Sequence, residues 1–134
     1  MNGGGGLRSP LGRAVGLGSA KEGVSHWWAQ RLGSLALVPL GLWFAASVIA
    51  LAGAPYAEFV AWLSSPLAAT LMVLLLAVGF HHAALGVQVV IEDYVHHEGA
   101  KIAALVVVKA ACAVLAVAGI FAVCRIAFTA GGVR

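Results

Sequence analysis

Two adjacent histidines, His81 and His82, stand inside an apolar run, and an acidic–aromatic pair, Asp93 and Tyr94, closes the same run. These are the side chains equipped for chemistry. Imidazole is a ready ligand for metals and haem iron, a carboxylate passes protons, and a phenol donates a hydrogen bond to a carbonyl such as a quinone's. Ionisable groups inside lipid are costly and mostly serve cofactors, protons or ions. His82 lies 11 residues before Asp93. On a helix that is about 16 Å, roughly halfway into a ~30 Å hydrocarbon core if Asp93 marks the interface.

A histidine at that depth has two readings: it bonds a neighbouring carbonyl or hydroxyl, or it holds a cofactor. Gly79 and Gly86 lie three residues before and four after His82, on the same helical face. Such a face lets a flat macrocycle, or another helix, approach closely. His81 is turned about 100° away and is the weaker ligand candidate. Adjacent histidines on one helix cannot bind opposite sides of one iron, and no other histidine lies at membrane depth. A bis-histidine haem therefore takes its second ligand from a different polypeptide. Asp93 falls about 20° past three full turns from His82, so the two share a face if the helix continues that far. Tyr94 then sits at the membrane boundary, where tyrosines and helix-ending acids are also common without any chemistry.

The elements that must position these groups follow from composition. Of 134 residues, 62% are hydrophobic and 10% charged, against about 25% charge in ordinary globular chains. Between Arg31 and Glu92 the only formal charge is Glu58. The expectation is an all-α membrane protein with three transmembrane helices over about 32–52, 67–91 and 102–128. Trp27 and Trp28 anchor the entrance of the first, Gly53-Ala54-Pro55 closes it, and Pro39 introduces a local kink near Leu35. Residues 56–63 form a short link with a second aromatic belt, Tyr56, Phe59 and Trp62. Ser65-Pro66 reads as a helix start, a capping hydroxyl before a first-turn proline. A polar turn spans Glu92 to Lys101. The Gly-rich segment 1–23 is expected to be disordered and cytoplasmic, and 24–130 to form the membrane domain.

Lys and Arg are scattered, which excludes a nucleic-acid face, and four of the eight precede the first apolar run. By the positive-inside tendency the N-terminus is cytoplasmic and the C-terminus periplasmic; Arg125 and Arg134, on the outer end, run against that trend. Cys112 and Cys124 have no metal-ligand spacing and read as inert thiols. No cleavable signal peptide is visible, which suits a bacterial inner-membrane protein. Arg31, at the first span's entrance, is a candidate for binding a haem propionate or an anionic lipid, or for the quinone region, or it simply snorkels. Lys109 either snorkels or faces a propionate. His96 and His97 lie in the polar turn and read as solvated.

The stretch His82-Ala83-Ala84-Leu85-Gly86, followed by Glu92-Asp93-Tyr94-Val95, resembles the core pattern of the succinate dehydrogenase hydrophobic membrane-anchor family, part of respiratory complex II. Ser25-His26-Trp27-Trp28-Ala29-Gln30-Arg31 is similar to the alphaproteobacterial type. The likeness covers about residues 24–128. A tryptophan found near the glycine in some relatives is absent, Gln88 lying close to that place. The resemblance implies haem b with His82 as one axial ligand, the other coming from the cytochrome b556 subunit. It implies ubiquinone at Tyr94, Asp93 in proton delivery, and an arginine role for Arg31. It also implies two soluble partners, a flavoprotein subunit and an iron–sulfur subunit, tethered at the cytoplasmic face. Succinate oxidation would then belong to a partner, because this chain has no dinucleotide fingerprint and no cysteine cluster. The chain would be no enzyme on its own. A non-haem scaffold or a small transporter subunit is the rival reading. A di-haem anchor would need four membrane histidines.

Overall fold

The computed structural model describes the backbone of residues 20–131 and the side chains of 23–130. Four helices follow in order: α1 Ala20–Ala50, α2 Tyr56–Leu63, α3 Pro66–Tyr94 and α4 Glu98–Gly131. Three of them are long and apolar enough to cross a membrane, over Gly23–Ala50, Pro66–Tyr94 and Glu98–Ala130. The fold class is therefore all-helical with three candidate spans. Most of the segment expected to be disordered lies outside the described residues, but residues 20–23 are helical rather than disordered.

At their polar ends the long helices overrun the expected spans by 12, 3 and 4 residues, α1 starting at Ala20, α3 ending at Tyr94 and α4 starting at Glu98. At its other end α1 stops at Ala50, two residues short of the expected end. Hydropathy marks the length that lipid must cover, whereas helical hydrogen bonding continues into the interface at no added cost. The polar turn contracts accordingly: α3 runs to Tyr94 and α4 starts at Glu98, leaving only residues 95–97 between them. The short link over residues 56–63 is itself a helix.

Local chemistry sets the boundaries. Gly53, at φ +80°, supplies the left-handed residue that turns the chain after α1. Ser65 caps α3, its hydroxyl accepting from the Ala68 N–H at 3.3 Å, with Pro66 in the first turn. The α1 helix continues through Pro39. His97, expected to be merely solvated, instead stands at the start of α4, where its Nδ1 accepts from the Ala100 N–H at 3.4 Å.

The chain divides into two units, Met1–Leu32 and Gly33–Arg134. In the described part of the first, the rings of Trp27 and Trp28 meet edge to face at 5.2 Å, and the Arg31 guanidinium lies 5.3 Å from the Trp27 ring centre. In the second unit, α3 and α4 pack antiparallel and closely. A Cβ on Gly119 would stand 3.1 Å from Leu76 Cδ1, so a bare glycine is what allows the approach. Gly119→Val should therefore force Leu76 off its place and cost about 1–3 kcal/mol. Thermal melting of the purified assembly measures this, with Gly119→Ala falling between the two.

The α1 residues from Gly33 on stand further off, with no Cα within 8 Å of a Cα in the other helices. They reach α3 by side chains: Gly33 faces His82 and Leu37 faces Gly79, which makes α1 and α3 antiparallel. Trp43 stacks on Trp62 at 5.7 Å, tying α1 to α2. Only Leu63, Ala68, Leu85, Ile91 and Val123 are buried apolar residues among those described, while Leu42, Ile49, Val107 and Phe128 are well exposed. A surface that apolar belongs against lipid or partner helices.

Candidate functional site

The α3 helix carries every candidate but Arg31. It is continuous from Pro66 to Tyr94, so the condition for His82 and Asp93 to share a face is met, about 16 Å apart along the axis. His82 is half-buried near the middle of the span and His81 is exposed. The doublet thus presents two different environments from one turn of helix.

The two nitrogens of His82 differ. Nδ1 is buried and has no hydrogen-bond partner. It points at α1, where a Cβ on Gly33 would lie 3.7 Å away. Nε2 is neither covered nor hydrogen-bonded. The imidazole is therefore wedged at one edge and open at the other. Of the two readings of an intramembrane histidine, the one satisfied by a neighbouring carbonyl or hydroxyl does not apply within the described residues. A neutral imidazole with its Nε2 lone pair free carries its proton on Nδ1, the form that binds a metal.

The glycine stripe splits its duties. At Gly79 the space is taken by Leu37 of α1, whereas nothing lies within 4 Å of a Cβ on Gly86. One glycine admits a helix, and the other leaves open surface one turn from His82. Gly33 was not singled out from sequence. Its only signal was a small residue in the first span, and nothing local told that it faced the histidine.

A probe of this wedge is direct. Ordinary van der Waals contact at 3.7 Å leaves Gly33→Ala tolerated, while the γ-methyls of Gly33→Val overlap the ring and must turn it. The absorption and magnetic spectra of any group bound at Nε2 should shift in the valine variant and stay unchanged in the alanine one.

At the end of α3, Glu92, Asp93 and Tyr94 are all exposed, Tyr94 to 80%. Neither the Asp93 carboxylate nor the Tyr94 phenol has a hydrogen-bond partner among the described residues. Glu92 does: its Oε1 accepts from Gln88 Nε2 at 2.8 Å, one turn back. That pair lies on the His81 side of the helix, away from the glycine stripe. Arg31 is exposed and packs over Trp27. Lys109 is exposed on α4 and also lacks a partner among the described residues. No three His, Cys, Asp or Glu side chains converge among the described residues. Among the described residues, His82 is therefore not part of any cluster of three possible metal donors.

Residues 6–118 match the protein family described as succinate dehydrogenase/fumarate reductase transmembrane subunit. Among curated proteins, the chain is 32% identical to a succinate dehydrogenase hydrophobic membrane anchor subunit of Paracoccus denitrificans over 117 residues, 87% of this chain and 90% of that one. It is 37% identical over 91 residues to the protein of the same name from Rickettsia bellii, 66% of this chain and 71% of the relative. With the Rickettsia conorii protein it shares 26% identity over 87% of this chain and 93% of the relative.

Proposed function

This chain belongs to the family of succinate dehydrogenase/fumarate reductase transmembrane subunits, and from that premise we propose that it anchors a succinate dehydrogenase and supplies half of a haem b site. It is a multi-pass protein of the bacterial inner membrane. The observation that carries the haem reading is His82: mid-span, edge-wedged against Gly33, with Nε2 open and no partner for either nitrogen among the described residues.

The fit to haem is chemical. The free Nε2 of His82 is of the type that would hold haem iron. Nearby Gly86 has open surface on the same stripe, which suits the flat face of a porphyrin. If His82 holds the haem iron, a donor of the cytochrome b556 subunit would complete the site, since this chain offers one suitable donor. When bound, haem b supplies a one-electron relay between the iron–sulfur subunit and quinone.

The residues at the end of α3 do the rest. Tyr94, exposed and unpaired, donates its phenolic hydrogen bond to a ubiquinone carbonyl, holding the ring at the interface. Asp93, its neighbour, passes protons from water to the reduced quinone. Arg31 would serve a haem propionate or the quinone, in competition with its stacking on Trp27. The N-terminus and the Tyr94 end lie in the cytoplasm, where the flavoprotein and iron–sulfur subunits dock; Glu98 and the short turn before it face the same side. Succinate is oxidised on those partners, so this chain binds and positions but does not itself turn over substrate.

The test is a reduced-minus-oxidised spectrum of the chain co-purified with its partners. A low-spin b-type signal, together with an iron–sulfur and a flavin subunit in the preparation, is the expected result. A colourless membrane assembly would defeat the haem reading, and absence of those two subunits would defeat the anchor reading.

A further inference from the structure

Arg125 is one of the cations that the proposed function leaves unused. It lies on α4 far from Glu98, and it runs against the charge distribution that orients the chain. It lines a groove of about 670 Å³ between α2 and α4, with Tyr56 and Val60 from α2 and Phe121, Ile126 and Thr129 from α4. No ion pair or hydrogen bond reaches it among the described residues. The carboxylate nearest in sequence to that wall, Glu58, is two residues from both Tyr56 and Val60. It therefore points about 200° away around α2, off the groove.

The order of polarity along α4 is informative. Phe121, Arg125 and Thr129 recur every four residues on one stripe of the helix, so they step outward in the sequence aromatic, cation, hydroxyl. The neighbouring groove on the other side of α4 sets the depth: it brings Ala69 and Thr70 of α3 to Cys124 and Ala127. Arg125 is therefore about one turn, or roughly 5–6 Å, inside the level where α3 begins at Pro66. An extended arginine spans about that distance, so its guanidinium reaches the interface while its stem stays in hydrocarbon.

We infer that the α2–α4 groove binds one anionic phospholipid, its phosphate on Arg125, its headgroup towards Tyr56 and Thr129, and an acyl chain along Val60, Phe121 and Ile126. A cation with an apolar floor below and hydroxyls above matches the polarity profile of that amphiphile and no simple anion. A guanidinium pairs with a phosphate in a forked, charge-assisted geometry. A protein occupant would have to bring its own carboxylate to this depth, whereas lipid borders every exposed face of a membrane helix.

The assembled complex, purified in detergent and washed free of lipid, is melted with added dioleoyl phosphatidylglycerol, dioleoyl phosphatidylcholine or inorganic phosphate. Phosphatidylglycerol should raise the midpoint by several degrees, and the other two should leave it unchanged. Arg125→Gln should weaken the apparent phosphatidylglycerol affinity about tenfold, the loss of one charge-assisted contact, and Thr129→Val by less. An undiminished response in Arg125→Gln overturns the site. An equal response to phosphatidylcholine overturns the demand for negative charge, and an equal response to phosphate overturns the lipid. If Arg125→Gln fails to assemble whatever lipid is present and Arg125→Lys restores assembly in lipid-free detergent, the occupant is a protein carboxylate and the inference falls. The site lies at the opposite end of α4 from the Tyr94 end of α3, so haem spectrum and quinone activity should be unaltered in every Arg125 variant that assembles. A failure here leaves the reading of His82 intact, and the reverse holds too.

Discussion

Replacing His82 by alanine should abolish the low-spin haem b signal of the assembled complex, while replacing His81 should leave it in place. The contrast rests on geometry rather than on chemistry, since the two side chains are identical and adjacent. His82 makes no hydrogen bond that the alanine variant would lose, so the helix loses little beyond a small void against Gly33. Its Nε2 is the open donor at mid-span, and no three His, Cys, Asp or Glu side chains converge among the described residues. His81, exposed and about 100° around the helix, cannot reach the same iron without turning α3. The optical spectrum of the reduced complex reads the result directly. Equal loss in both variants would mean that the doublet acts through helix packing, and retention in His82→Ala would remove the ligand altogether.

How much of this was legible in the sequence depends on how local each determinant is. Ser65-Pro66 announced the start of α3 and Gly53 the end of α1, because a cap and a left-handed glycine need only their own neighbours. The three spans were legible because lipid imposes a length that composition must satisfy. What was hidden is tertiary. The pairing of Gly33 with His82, and of Leu37 with Gly79, depends on the register of α1 against α3, and apolar helices in lipid carry no amphipathic stripe that fixes register. His97 as the partner of the Ala100 N–H escaped for another reason: histidine is an uncommon cap, and the turn was expected to be longer than it is.

The same contrast separates the α3 face into two uses. Where α1 comes close, at Gly79, the missing side chain serves packing; where nothing approaches, at Gly86, it leaves surface free. The expectation that glycines here admit either a macrocycle or a helix thus resolves residue by residue. His82 sits between the two, with one nitrogen turned to each kind of environment. A ligand shared between subunits needs that arrangement, because its own chain must hold the ring while another completes the coordination.

Tyr94→Phe should lower succinate:ubiquinone activity about ten- to a hundredfold and leave activity with a soluble dye acceptor at the level of the unaltered complex. The substitution removes one oxygen from a side chain that is 80% exposed and makes no hydrogen bond among the described residues. Folding and assembly therefore lose almost nothing, and any loss of rate belongs to the encounter with quinone. A quinone carbonyl gains negative charge as it is reduced, so a phenol aimed at it binds more strongly as reaction proceeds; one such donor is worth roughly 2–4 kcal/mol when the site excludes water and less at an open interface. The fall should thus appear mainly in turnover rather than in the apparent quinone affinity. Dye reduction draws electrons before they reach the membrane and serves as the internal control. Unchanged quinone kinetics would place the ring elsewhere and return Tyr94 to the role of an interfacial anchor.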